Sequence, residues 1–155
     1  MTFRPLLILT CLIANVAQAA DFIALDRQMA RRLTAADQYR QPTIVTLWSS
    51  DCSYCKKNLQ LLADLRKTND KVHLITIAAE PVSAELRPML DRYALAGPHY
   101  AYGSDSPEAI AYAIDASWAG ELPRSYFFNG KGGKEKFSGV INAAMIEKAF
   151  TGSVP

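Results

Sequence analysis

Two cysteines with two residues between them, Cys52 and Cys55, follow an apolar β-branched run, Thr43 to Trp48, and open a stretch with helical periodicity from Ser53 to about Lys67. No other feature constrains the fold as strongly. A Cys-x-x-Cys pair at a strand-to-helix junction can close a small reversible disulfide, and the helix N-terminus stabilises a thiolate there. The sequence holds one further cysteine, Cys11. The pair is therefore either a redox site or half of a metal site, and the rest of the chain must decide.

Cys11 lies in a segment that reads as an export signal. Arg4 gives a weakly positive start, and Leu6 to Ala14 is an apolar run broken only by Thr10 and Cys11. Ala17-Gln18-Ala19 fits the small-x-small pattern of a cleavage site. The apolar run is about half of the ~20 residues that span a bilayer. Residues 1–19 are expected to be a cleaved signal peptide and 20–155 one domain, which implies a periplasmic protein. An uncleaved anchor is the alternative; Thr10 before Cys11 suits lipoprotein processing poorly. Outside the cytosol a disulfide persists, and the mature chain keeps only Cys52 and Cys55. A structural disulfide closing so short a loop would restrict the unfolded chain little, which favours redox chemistry.

The 155 residues suffice for one domain with a real core; half are apolar and about a fifth charged. The formal net charge is +2, and no Lys/Arg block interleaves with aromatics, which argues against nucleic acid as a partner. Asp21 to Leu33 reads as a short strand and a helix, Thr43 to Trp48 as a buried central strand, and Val72 to Ala78 as a second. Ser83 to Leu95 has helical character, but Pro88 inside it calls for a kink or a later start. His99 to Tyr102 is a short strand, and Ser106-Pro107-Glu108 starts a helix running to about Ile114. Ser125 to Phe128 and Lys134 to Gly139 form a hairpin across the turn Asn129-Gly130-Lys131-Gly132-Gly133, and Ile141 to Phe150 closes the chain as a helix. The expected fold is α/β: a mixed sheet, parallel early and antiparallel late, with helices on both faces.

With those elements in place, the chain resembles the thioredoxin superfamily, and within it the exported proteins of the TlpA/ResA type. Trp48 stands four residues before Cys52, as in the family's W-x-x-x-C-x-x-C. Leu122-Pro123-Arg124-Ser125-Tyr126-Phe127-Phe128 resembles the family's x-P-T-x-F segment, whose proline is cis, and the glycine-rich turn follows it. The resemblance covers roughly residues 40–150. It implies a thioredoxin-like fold and a thiol–disulfide oxidoreductase with no bound cofactor or metal. It also implies protein thiol or disulfide substrates, a membrane thiol relay as electron donor, and a monomer. Two acidic positions of the pattern are missing, and Asp51 stands where relatives often carry a Trp before the first cysteine. Thr46 stands where thioredoxins bury an Asp, and Asn58 stands where many relatives carry a Glu three residues after the second cysteine. Both family acids help move protons for that thiol.

Cys52 is expected to be the nucleophile and Cys55 the buried resolving thiol. Asp51 disfavours a thiolate beside it, while Lys56 and Lys57 favour one. Glu80 is a candidate base for Cys55, against an ordinary solvated glutamate. Leu122 and Pro123 would face the cysteines and leave backbone free to pair with an extended substrate. Trp48 is assigned to the substrate crevice, chiefly as packing under the loop, and Tyr54 to its surface. Tyr100, Tyr102 and Trp118 either line a groove or pack the core. Reduction of protein disulfides is the expected direction; oxidase or isomerase activity is the alternative. A copper-binding chaperone is the competing class, since two thiolates suit Cu(I). His73 and His99 are the histidines available to it, and neither lies near the pair in sequence.

Overall fold

The computed structural model describes residues 22–151; the expected signal segment 1–19 and Cys11 lie outside them. In chain order the strands are β1 (Ile23–Leu25), β2 (Thr43–Trp48), β3 (His73–Pro81), β4 (His99–Tyr102), β5 (Arg124–Phe128) and β6 (Lys134–Ser138). The α-helices are α1 (Arg27–Leu33), α2 (Ser53–Thr68), α3 (Leu86–Asp91), α4 (Pro107–Ile114) and α5 (Ala143–Thr151), and a short three-ten turn covers Ala36–Gln38.

Every residue of β2 is buried, as a strand covered on both faces requires. It lies inside a six-stranded sheet of order β1-β4-β3-β2-β5-β6. β2 runs parallel to β3, from Thr43↔His73 to Trp48↔Ala78, and antiparallel to β5, from Thr43↔Phe128 to Leu47↔Arg124. β1 and β4 extend the parallel half, and β6 extends the antiparallel half as the second arm of the hairpin.

The strand period of two sorts β2 between two cores. Ile44 and Trp48 face the cluster built with Leu59 and Leu62 of α2, Leu86 of α3 and Ile146 of α5. Val45 and Leu47 face the other cluster, with Leu33 of α1, Ile110 and Ile114 of α4, and Tyr126 and Phe128 of β5. Thr46 shares a face with Ile44 and Trp48, the face that α2 covers.

The expected elements are present, with shifted ends that have local causes. Helix α3 starts later than Ser83, so Pro88 falls in its first turn, where a missing N–H costs no intrahelical bond. α5 starts at Ala143 because Asn142 accepts from the Met145 N–H at 3.0 Å and caps it. In the hairpin turn, Asn129 Oδ1 accepts from the N–H groups of Lys131 (2.8 Å) and Gly133 (2.9 Å). Gly130, at φ +77°, packs so closely on Gln41 that a Cβ would lie 2.6 Å from its backbone nitrogen.

His99 is buried at the start of β4. Its Nε2 faces the Leu95 carbonyl at 3.2 Å, which can only accept, so Nε2 carries the proton and Nδ1 accepts from the Thr76 hydroxyl at 2.9 Å. Burial holds the imidazole below its ordinary value of 6.5, against the Leu95 bond, which pulls it up. The unfolded chain therefore takes up a proton that the folded chain resists, and stability falls as the pH drops through the window just under 6.5. Urea unfolding at pH 7.5 and pH 5.5 is expected to show this loss, and His99→Gln is expected to flatten it while lowering stability at pH 7.5. An unchanged pH slope in the variant would refute the assignment.

Candidate active site

The site grows from the carboxyl end of β2. After Trp48 the chain turns through Ser49-Ser50-Asp51, and the turn is held from two directions. Ser49 Oγ donates to Asp51 Oδ1 at 2.7 Å. Ser50 donates twice to Glu80 at the end of β3, from its N–H to Oε1 at 2.5 Å and from its hydroxyl to Oε2 at 2.9 Å. Glu80 thus braces the active-site turn. The expectation of a solvated loop glutamate is corrected, and its candidacy as a base for Cys55 gains no geometric support, because both its oxygens are engaged by Ser50.

Cys52 then caps α2. Its backbone is extended (φ −80°, ψ 102°), and its Sγ accepts from the Cys55 N–H at 3.1 Å. A sulfur at this cap sits against the unpaired donors of the first helical turn. Cys52 and Cys55 are joined as a disulfide, with 5.2 Å between Cα atoms. Cys52 is partly exposed, whereas Cys55 is 1% exposed and packs with Leu59 and Leu62. The two sulfurs therefore differ in access. Asp51 is an exposed carboxylate held below its ordinary value by the Ser49 hydrogen bond, so a negative charge stands beside Cys52. Lys57 lies 5.2 Å over the Tyr54 ring, and Tyr54 is 60% exposed at the lip. Trp48, by contrast, is 1% exposed; it supports the turn from below and presents no surface to a substrate.

The opposite wall comes from β5. Its antiparallel register ends at Leu47↔Arg124, which brings Pro123 alongside the end of β2. The Leu122–Pro123 peptide is cis. Pro123 is buried, and its carbonyl accepts from the Gly139 N–H at 2.8 Å. Leu122 is half-buried and packs against both cores, sharing the first with Cys52.

The two departures at Thr46 and Asn58 both have structural partners. Thr46 Oγ1 lies 3.1 Å from Ser125 Oγ across the β2–β5 pair, so two buried hydroxyls satisfy each other where a carboxylate would need charge compensation. Asn58, 1% exposed, donates to the Gly139 carbonyl at 3.1 Å and accepts from the Ile141 N–H at 3.1 Å. It ties α2 to the loop between β6 and α5, and the same loop reaches Pro123 through Gly139.

Sequence reasoning missed a buried charge cluster behind Pro123. Arg124 is 7% exposed. It donates to Asp115 Oδ2 at 2.8 Å, to Ser138 Oγ at 2.6 Å and to the Tyr126 hydroxyl at 3.3 Å. Lys136 adds a contact to Asp115 at 3.0 Å. Burial alone would raise the Asp115 carboxyl, but bonds from Ser117, Lys136 and Arg124 overrule it and hold it far below the usual range. A charged residue in a strand ordinarily reads as solvent-facing, and its partner nine positions earlier gives no periodic signal.

Neither histidine is brought to the cysteines. His73 pairs with Thr43, at the end of β2 remote from Trp48, and His99 bonds Thr76 and Leu95.

No family model and no curated protein matches the sequence. Solved structures match it in shape. A secreted disulfide oxidoreductase of Mycobacterium tuberculosis, described as homologous to E. coli DsbE, gives a TM-score of 0.59 at 15% identity, covering 79% of this chain and 96% of that one. A thiol-disulfide isomerase of Corynebacterium glutamicum gives 0.59 at 13% identity over 84% and 89% of the two chains. A thiol:disulfide interchange protein of the thioredoxin family from Chlorobium tepidum gives 0.58 at 16% over 74% and 81%. At these identities the likeness is one of fold: the chain has the thioredoxin fold, with its Cys-x-x-Cys pair at the end of the central strand.

Replacing Asn58 tests the loop clamp. Asn58→Leu leaves the Gly139 carbonyl and the Ile141 N–H without their partner, and each such loss costs about 1–3 kcal/mol. The variant is expected to unfold with a stability deficit of about 3 kcal/mol in urea titration. Asn58→Asp keeps the acceptor for Ile141 but buries an uncompensated carboxylate against the Gly139 carbonyl, so at neutral pH it should be destabilised at least as much.

Proposed function

We propose that this chain is an exported thiol–disulfide oxidoreductase that reduces disulfides of protein substrates. The observation that carries this reading is the asymmetry of the pair: an accessible sulfur on a helix cap, and a buried one behind it within disulfide distance. In the reduced protein the Cys52 thiolate attacks one sulfur of a substrate disulfide, forming a mixed disulfide and expelling the other sulfur, which leaves as a thiol once protonated. Cys55, deprotonated, then attacks Cys52 Sγ. The second substrate thiol departs, and the Cys52–Cys55 disulfide remains. Two electrons pass from the protein dithiol to the substrate disulfide.

Leu122 offers backbone to an extended substrate, and Tyr54 offers it an exposed ring. The chain acts as a monomer, and a membrane thiol relay returns it to the dithiol form. Export rests on the reading of residues 1–19, and one structural neighbour is described as secreted.

Asp51 supports the reducing direction. Strongly oxidising pairs owe their potential to a stabilised reduced form, in which the accessible thiolate is favoured. Here an ionised carboxylate flanks that sulfur and disfavours the thiolate, which opposes the pull of the α2 terminus. Asp51→Asn is therefore expected to lower the Cys52 thiol pKa and raise the reduction potential, on the order of 10 mV. Equilibration with glutathione buffers measures it; a potential that falls in the variant contradicts the argument.

Trapping tests the roles. Cys55→Ser removes the resolving thiol and should freeze mixed disulfides on Cys52, visible on non-reducing gels and abolished by dithiothreitol. Cys52→Ser should trap almost nothing, and either variant should lose insulin-reduction turnover by at least about a hundredfold. Equal trapping by the two variants would overturn the assignment of nucleophile.

A further inference from the structure

A cleft of about 440 Å³ opens between α4 and the loop that leads into Pro123, and it shares Leu122 with the cluster against which Cys52 packs. Glu108, Ala111 and Tyr112 form its α4 wall, at the i, i+3, i+4 spacing that places three residues on one helix face. Trp118 forms the facing wall, and its indole is fixed by an Nε1 bond to the Glu121 carbonyl at 2.8 Å. Tyr102 lines it from the end of β4. Leu122 closes it on the side of the cysteines, so the residue assigned to pair with substrate is also a wall of this cleft.

The chemistry of the lining selects an occupant. Three aromatic residues line the cleft, the exposed Tyr112 and the largely buried Tyr102 and Trp118, together with Glu108, the one charged residue among the described residues that line it. Tyr112 is 68% exposed, a large ring that no packing in the fold consumes. Aromatic faces attract cations, and a carboxylate at the rim completes a site for one. The chain already uses this pairing internally, with Lys134 Nζ held 4.9 Å from the Tyr126 ring centre. Glu108 is exposed in the first turn of α4, so a cation in the cleft gains its attraction, an apolar side chain gains none, and an acidic one is repelled.

We propose that this cleft takes a lysine or arginine side chain of the polypeptide whose disulfide is reduced. An extended chain rises about 3.3 Å per residue, so a basic residue within about three positions of the attacked cysteine would reach the cleft across Leu122. The proposal rests on the reading of Cys52 as the nucleophile, and it names the class of substrate that the site prefers. The chain as a whole carries a net charge of +2, which disfavours cationic partners at long range, so a preference for them must be local.

The test uses the reduced mature chain and symmetric disulfide dimers of a short Gly/Ser peptide with one cysteine. The residues flanking that cysteine are Lys, Arg, Leu or Glu. Each single-turnover rate is divided by that peptide's rate with 2-mercaptoethanol, an uncharged thiol, which removes the effect of the flanking charge on the peptide thiol itself. Lys and Arg peptides are expected to react at least fivefold faster than the Leu peptide, with Glu slowest. Glu108→Gln should cut the Lys-to-Leu ratio at least threefold, and Tyr112→Ala should cut it as well. A ratio that survives Glu108→Gln but collapses in Asp51→Asn would place the preference at the thiol's own neighbour and overturn the proposal. Equal rates for all peptides, or a Leu peptide ahead of Lys, with insulin turnover intact, would overturn the cleft and leave the oxidoreductase reading standing. No reaction with any peptide or with insulin would overturn both.

Discussion

Strand β2 is paired on both edges and buried on both faces, and the site depends on where it stops. Its parallel register with β3 sets Glu80 beyond Trp48, level with the turn that Glu80 braces. Its antiparallel register with β5 sets Pro123 on the other side. A slip of one residue against either neighbour would turn Thr46 and Trp48 to the opposite core and carry the facing loop out of position. The cysteines are delivered by the same strand. The turn after Trp48 spans only Ser49, Ser50 and Asp51 before Cys52 caps α2, so the sulfur that caps the helix sits where the sheet ends.

Around that end, polar groups hold loops in place. Glu80 accepts twice from Ser50, Asn58 spans the loop from Gly139 to Ile141, and Arg124 gathers Asp115, Ser138 and Tyr126 behind Pro123. Gly139 then links two of these systems, since its carbonyl meets Asn58 and its N–H meets the Pro123 carbonyl. The consequence is a rigid frame in which the mutual position of α2 and the Leu122–Pro123 segment is over-determined. Reactions that need an extended substrate strand laid between two walls profit from such a frame, because less motion must be frozen on binding.

Much of this frame was legible in the sequence, and the parts that were not share a cause. The continuous β-branched, apolar run Thr43–Trp48, the glycine-rich hairpin turn and the Ser106-Pro107 cap are local signals, and each element formed where its signal stood. Ser83 to Leu95 promised a helix with a later start, and α3 begins at Leu86, where Pro88 does no damage. The cysteine pair identified itself by spacing. Asn58, Glu80 and Arg124 did not, because their meaning lies in partners 81, 30 and 9 positions away. A polar residue on a helix or at a strand end carries no mark that says whether water or a distant backbone group will satisfy it. The departures at Thr46 and Asn58 were visible as missing acids, yet what replaced them, a hydroxyl pair and a loop clamp, emerged only from tertiary contact.

Those replacements bear on how the second thiol works. Cys55 is buried among Leu59 and Leu62, and burial disfavours a thiolate. The polar side chains located around the site are committed elsewhere: Glu80 to Ser50, Asn58 to the 139–141 loop, Thr46 to Ser125. What Cys55 lacks in charge it gains in position. In the proposed reaction, once Cys52 carries a mixed disulfide its sulfur is held one helical turn away on the same cap, and a tethered nucleophile at that range acts at an effective concentration far above any free thiol. Burial also screens Cys55 from outside disulfides, which in the proposed reaction leaves Cys52 as its partner. The order proposed for the two sulfurs, exposed first and buried second, is the one that the burial pattern of this helical turn supports.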